Sequence, residues 1–145
     1  MVILYDPMMG ELSIVHLNMH KSIRLTFLLI TLTQALHSIE EYLGKLWDVY
    51  PPATFLCGLV SSNLETGFII INVGLFIVLM VIWFLSKSYP VRGLFWFWTI
   101  MELINGVGHS VWAIIERSYE PGLITAPILI FLALRLALQL TRQQK

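Results

Sequence analysis

The sequence predicts an all-α integral membrane protein, a bundle of four transmembrane helices forming one domain over residues 1–145. Three observations carry that expectation. Hydrophobic residues make up 57% of the chain and charged residues 12%, about half the charge usual in a soluble domain. Mean hydropathy is +0.78. Four runs also reach the roughly 20 mostly apolar residues that cross a bilayer. Nine Lys and Arg balance nine Asp and Glu, so the chain offers no basic patch to nucleic acid. A neutral, charge-poor surface would also aggregate in water. Composition thus excludes a nucleic-acid binder, a disordered chain and most soluble enzymes, and the partner it implies is the lipid bilayer.

Taken in order, residues 1–22 are mixed, with Asp6-Pro7 and Gly10 interrupting any periodicity. They read as a short interfacial segment, with His16 and His20 solvated or interfacial. A signal peptide is not expected, because Lys21 and Arg24 follow the early apolar stretch and no small-residue cleavage site comes after. The first span covers about 23–44. A loop with Tyr50-Pro51-Pro52 follows, and it holds the single cysteine, Cys57, a small residue packed near a helix end. The second span covers 64–85 and ends at a turn with Tyr89-Pro90. The third covers 93–115, the turn Tyr119-Glu120-Pro121-Gly122 follows it, and the fourth covers 123–140. Proline removes a helix donor and glycine permits left-handed backbone, so these breaks are well marked. Trp83, Trp96 and Trp98 near helix ends read as an interfacial belt. Gly106 and Gly108 read as points of close helix approach.

Basic residues set the orientation. Lys21, Arg24, Lys87, Arg92, Arg142 and Lys145 fall on one side, against Lys45 and Arg117 on the other. Both termini are therefore expected in the cytoplasm, with the protein in the plasma membrane.

Polar residues inside the spans single out a site. Glu40, Glu41 and Glu102 lie inside them, together with His37, Asn72, Asn105, His109 and Arg135. Ionisable groups in hydrocarbon are costly, and by default they mark function. His37 shares a helix face with Glu40 and Glu41, at i+3 and i+4. Glu102, Asn105 and His109, at i, i+3 and i+7, form one stripe. At 1.5 Å per residue, His37 and His109 sit about 10 Å below the outer face and Asn72 about 12 Å. The same count puts Glu102 and Arg135 roughly 20 Å down, where the arginine could neutralise the acid. Two adjacent carboxylates at the C-terminal end of a helix oppose its dipole and each other. They require compensation by protons or by a cation. Against this stands the plain alternative that buried polar groups only hold helices together. That alternative suits Asn72 and Arg135 better than the set of five ionisable groups. Trp112 lies near the level of His109 and is a candidate pocket wall.

The motifs His37-x-x-Glu40-Glu41, the later His109 and Tyr119-x-Pro121-Gly122 together resemble the HXXEE family of small membrane proteins, over roughly residues 25–140. The resemblance implies a membrane fold of several spans and a site built on these residues. The family has no established activity to carry over.

Two histidines and one or two carboxylates suit zinc, iron or manganese. His37, Glu41 and His109 are the expected ligands, with Glu41 ahead of Glu40 because i+4 lies more directly above His37. His37, Glu40, Glu41, Glu102 and His109 form the catalytic set. Asn72, Asn105, Trp112, Tyr119, Pro121 and Gly122 complete the pocket, the last three as a turn that caps it. A metal-activated water could then attack a lipid ester or amide, so the expected substrate is a lipid-like small molecule. Carboxylate-bridged di-iron bundles fit poorly, since the second and fourth spans supply no carboxylate. The Glu-Glu pair resembles the opening of glutamate intramembrane proteases, but Lys stands at position 45 where an arginine is needed. Two other readings stay open. One is a metal-free His/Glu acid–base isomerase. The other is a non-enzymatic proton- or cation-linked transporter or ligand-binding protein, for which 145 residues would call for a homodimer.

Overall fold

In a computed structural model that describes residues 21–143, the described residues form six helices in chain order. They are α1 (Lys21–Leu43), α2 (Leu46–Val49), α3 (Pro51–Val60), α4 (Leu64–Leu85), α5 (Arg92–Glu116) and α6 (Ala126–Arg142). No strand occurs among the described residues. The interfacial reading of the N-terminal segment, with His16 and His20, lies outside them, as does Lys145.

Two of the helices, α1 and α4, are long and apolar enough to cross a membrane. The 25 residues of α5 include Glu102, Asn105 and His109, which dilute its apolar character. Helix α6 has 17 residues and starts at Ala126 rather than at 123, because Gly122–Thr125 is consumed by a turn.

The expected loop around Tyr50-Pro51-Pro52 is instead helical. Both prolines occupy the first turn of α3, preceded by Tyr50 in an extended conformation. There the missing N–H costs nothing, because first-turn donors have no intrahelical partner. Proline here starts a helix rather than ending one. Cys57 is buried on α3 where that helix crosses Gly67 of α4. Burial, then the charge of Glu41, pushes its thiol pKa up. That is the behaviour of an inert packing residue.

Helices α1, α5 and α6 form the core, with α6 packed against both others. Phe27 of α1 stacks flat on Phe95 of α5, centroids 3.9 Å apart, amid Ile23, Ile30, Leu129, Leu136 and Leu140. Gly106 lets α6 approach α5: a Cβ there would lie 2.5 Å from Ile130 and 3.0 Å from the Ala126 carbonyl. Gly108 has open space around it and is no packing contact. Trp96 and Trp98 lie against this core, and the Trp83 indole donates to the Arg24 carbonyl at 3.1 Å. Helix α4 is peripheral, burying only Gly67, Phe68 and Leu79.

Lys45 and Arg117 adopt left-handed backbone at φ 50° and 52°, just after α1 and α5. A positive side chain suits a helix C-terminus, but a Cβ in this region costs roughly 1 kcal/mol. Arg117→Gly is therefore expected to raise thermal stability in detergent, by about 0.5–1 kcal/mol, a gain that a melting curve measures.

Candidate functional site

Near the C-terminal ends of α1 and α5, a cluster is assembled from two helices and one turn. The i, i+4 spacing on α1 sets Glu41 over His37, with Glu41 Oε1 3.3 Å from His37 Nε2. From α5, His109 brings its Nε2 to 3.1 Å from the same oxygen. The imidazoles meet edge to face, centroids 4.8 Å apart. All three side chains are buried, His37 completely. Asn105, one turn before His109, places its amide nitrogen 3.1 Å from His37 Nε2.

The turn between α5 and α6 closes the cluster. Gly122, at φ +94°, lies against both rings: a Cβ there would meet His37 Cε1 at 2.6 Å and His109 Nδ1 at 2.9 Å. Two constraints thus coincide, left-handed backbone and absence of a side chain. Pro121 packs on Gly44 at the end of α1. Gly122→Ala is expected to destabilise the fold by about 1–3 kcal/mol and to displace the histidines. Denaturant unfolding, with histidine NMR shifts as the local readout, checks both effects.

Glu40 faces this turn and not the histidine cluster. Its Oε1 accepts from the Tyr119 hydroxyl at 2.8 Å and the Ile124 amide at 2.9 Å. Its Oε2 accepts from the Thr125 amide at 3.0 Å and the Thr125 hydroxyl at 2.7 Å. The charge opposed by the α1 dipole is thus met by amides at the entrance to α6, where anions are favoured. Partial desolvation and the Glu40 carboxylate push the Tyr119 phenol up to about 12.

Thr125, which the sequence reading passed over, links the two carboxylates' surroundings. Its Oγ1 also lies 2.7 Å from His37 Nδ1. One hydroxyl carries one proton, and Glu40, which already takes three other donors, can only accept. The Thr125 proton therefore goes to Glu40, and His37 Nδ1–H must donate to Thr125. That choice leaves His37 Nε2 as an acceptor, which takes the Asn105 amide N–H at 3.1 Å and lies 3.3 Å from Glu41 Oε1. The imidazole lone pair and the carboxylate oxygen thus lie side by side, a donor pair of the kind that ligates a cation.

The other expected site residues take separate places. Glu102 is buried one turn below Asn105, and the Gln34 side-chain amide lies against both its oxygens, so that with its nitrogen turned towards them it donates at 3.2 and 3.1 Å. Arg135 does not neutralise it. The arginine lies on the exposed face of α6, and among the described residues no ion pair joins the two. Asn72 accepts from Ser38 Oγ at 2.7 Å and stays on the α1–α4 side, away from His37 and His109. Trp112 covers His109, centroids 6.3 Å apart, and packs at a tilt, 4.6 Å between centroids, on Tyr50, which the sequence reading also missed.

The donor atoms of His37, Glu41 and His109 lie within 4.8 Å of one another and could hold a metal ion. Bonds of about 2.0–2.1 Å in a tetrahedron separate neighbouring ligand atoms by roughly 3.4 Å. The two Nε2–Oε1 separations, 3.3 and 3.1 Å, match that spacing, while the two imidazole nitrogens, within 4.8 Å of each other, would draw together on an ion.

A family profile described as a protein of unknown function with an HXXEE motif matches residues 28–136 of the chain. No curated protein and no solved structure matches it.

Proposed function

The chain belongs to the HXXEE family, and on that premise we propose that it is a membrane-embedded enzyme that hydrolyses an ester or amide of a lipid-like substrate, with a divalent ion on His37, Glu41 and His109. The observation that carries this reading is the convergence of two imidazole Nε2 atoms on one buried carboxylate oxygen, with His37 forced to turn its lone pair inward. Two His and one carboxylate leave coordination positions for water and substrate. An ion there would supply a nucleophile at neutral pH and polarise a carbonyl.

The remaining groups hold and shield. Glu40 through Thr125 fixes the His37 tautomer, as outer carboxylates do for ligating histidines. Gly122 backs both rings, and the tilted Tyr50–Trp112 pair screens His109. Both Nε2 contacts use Glu41 Oε1, which leaves Oε2 to take a proton from the attacking water. In hydrolysis that water oxygen bonds to the acyl carbon, the ester or amide bond breaks, and the leaving group takes up the proton.

A four-span arrangement with cytoplasmic termini goes with this reading. Large apolar side chains stand out from the surface of all four long helices, among them Leu36, Val73, Ile104, Ile114, Phe131 and Leu138, each at least half exposed. On a water-soluble protein such a surface would aggregate. The side of the site is outer, by the distribution of Lys and Arg.

A second reading, metal-free proton transfer in an acid–base isomerase, draws on one observation: His109 Nδ1 is buried without a hydrogen-bond partner among the described residues. Reconstitution in vesicles of an ester-linked phospholipid separates the readings. Acyl release that appears with zinc, iron or manganese and stops on chelation supports the metal hydrolase. Product formed equally well after chelation moves the chemistry to His109. Proton-coupled uptake of a solute with no product would overturn both in favour of transport.

A further inference from the structure

Beside the histidine cluster runs a cavity of about 300 Å³ between α1 and α4. It follows α4 from Phe68 to Leu79 and α1 from Tyr42 to Thr31. Eleven residues of helix correspond to about 16 Å. One leaflet of a bilayer's hydrocarbon core is about 15 Å deep, half of the whole. Counted from Leu64, the cavity begins roughly 6 Å below the outer end of α4 and ends roughly 22 Å below it, past the midplane.

Its walls are apolar, and it opens sideways. Ile69, Val73 and Phe76 line it and are also exposed, at 44%, 53% and 36%, on the outer surface of α4. A chain in the surrounding lipid can therefore slide in laterally. The volume is at the lower limit of small-molecule pockets, enough for one chain rather than a whole two-chain lipid. Polar groups are few and graded in depth. The Tyr42 hydroxyl, bonded to Glu65 at 2.5 Å, stands at the outer mouth, and the Ser38–Asn72 pair lies below it. No polar lining residue lies below Thr31 and Gln34.

The cavity shares a helix with the metal cluster, position by position. Ser38 follows His37 and Tyr42 follows Glu41 in sequence, so the outer half of the cavity and the cluster lie at one depth on adjacent faces of α1. We propose that this groove binds a single acyl chain of an outer-leaflet lipid, tail towards Leu79, so that the carbonyl linkage at the chain's polar end lies level with His37, Glu41 and His109. The assignment names the substrate class of the proposed hydrolase and rests on that reading for its consequence, though not for the binding itself.

The full chain is reconstituted in phosphatidylcholine vesicles containing a trace of the same lipid with a diazirine midway along one acyl chain. Irradiation and peptide mass spectrometry then locate the adducts. Adducts are expected to concentrate on Ala35, Ser38, Val73 and Phe76, above those on the α6 lipid face at Phe131 and Leu134. Filling the groove with Ala35→Trp should reduce its labelling to the α6 level while α6 labelling and metal content stay unchanged. If tryptophan prevents folding, Ala35→Leu is measured instead, with a smaller loss in the same direction. The double variant His37→Ala, His109→Ala should label the groove as the unaltered chain does, so a failure of the metal reading leaves this result standing. Groove labelling no higher than that of α6, or unaffected by the bulky residue, would show only annular lipid and overturn the assignment.

Discussion

Glu41→Gln is expected to empty the metal site while the fold survives. The amide keeps an oxygen at the Oε1 position, where it can still accept from His109 Nε2, now 3.1 Å away. What it loses is the negative charge that draws a divalent ion to two neutral imidazoles. His37→Ala and His109→Ala remove a ligand outright and should act the same way. Changes to groups outside the ligand set of a metal typically weaken binding about 10–100-fold. Loss of a ligand should exceed that, taking occupancy from near one ion per chain to background after dialysis. Elemental analysis of purified protein, with circular dichroism to confirm helix content, measures both. Stoichiometric ion retained in all three variants would place the metal elsewhere.

The second large effect concerns the pair Glu40 and Thr125, which touch no ligand position except through His37. Thr125→Val deletes the hydroxyl that bridges Glu40 Oε2 and His37 Nδ1, both at 2.7 Å. The imidazole is then free to turn or change tautomer, and metal affinity should fall about 10–100-fold. Thr125→Ser restores the hydroxyl and should recover most of the affinity, which loss of packing alone would not explain. Glu40→Gln should weaken the ion similarly and also lower stability by about 1–3 kcal/mol. It sets an amide among four donors that point at a carboxylate. Competition titration against a zinc chelator reads the affinity, and nitrogen shifts of the His37 ring report the tautomer. Thr125→Val with unaltered affinity would show that the bridge has no part in holding the ion.

The sequence carried a good part of this arrangement, for reasons that are local. Helical periodicity alone aligns Glu41 with His37 and Asn105 with His109, and motif order places the Tyr-x-Pro-Gly turn over them. Periodicity also decides between the adjacent acids, since i+4 brings Glu41 to His37 while Glu40 rotates towards the turn. What stayed hidden depends on how helices rotate and cross. Rise per residue gives the depth of Arg135 and Glu102 but not the direction in which either side chain points. On α6 the arginine turns outward, between the buried Leu132 and Leu136. Thr125 and Tyr50 belong to segments without periodicity, so only the folded turn brings them to His37 and His109. The prolines at 51 and 52 were ambiguous because proline ends one helix and begins another, and only the context of Tyr50 distinguishes these. Four spans were read from apolar length, whereas α5 carries the polar stripe of the site and α6 yields its first turn to the loop that closes it.

X-ray absorption at the zinc edge of the loaded, membrane-reconstituted protein tests the central claim most directly, because it reports the ligand atoms themselves. The expected spectrum shows two imidazole nitrogens and one or two oxygens at about 2.0–2.1 Å, and no sulfur. His109→Ala should lower the imidazole count or abolish the bound signal. A sulfur shell at about 2.3 Å would assign the metal to Cys57. A spectrum of fully hydrated zinc would mean that His37, Glu41 and His109 hold no ion at all.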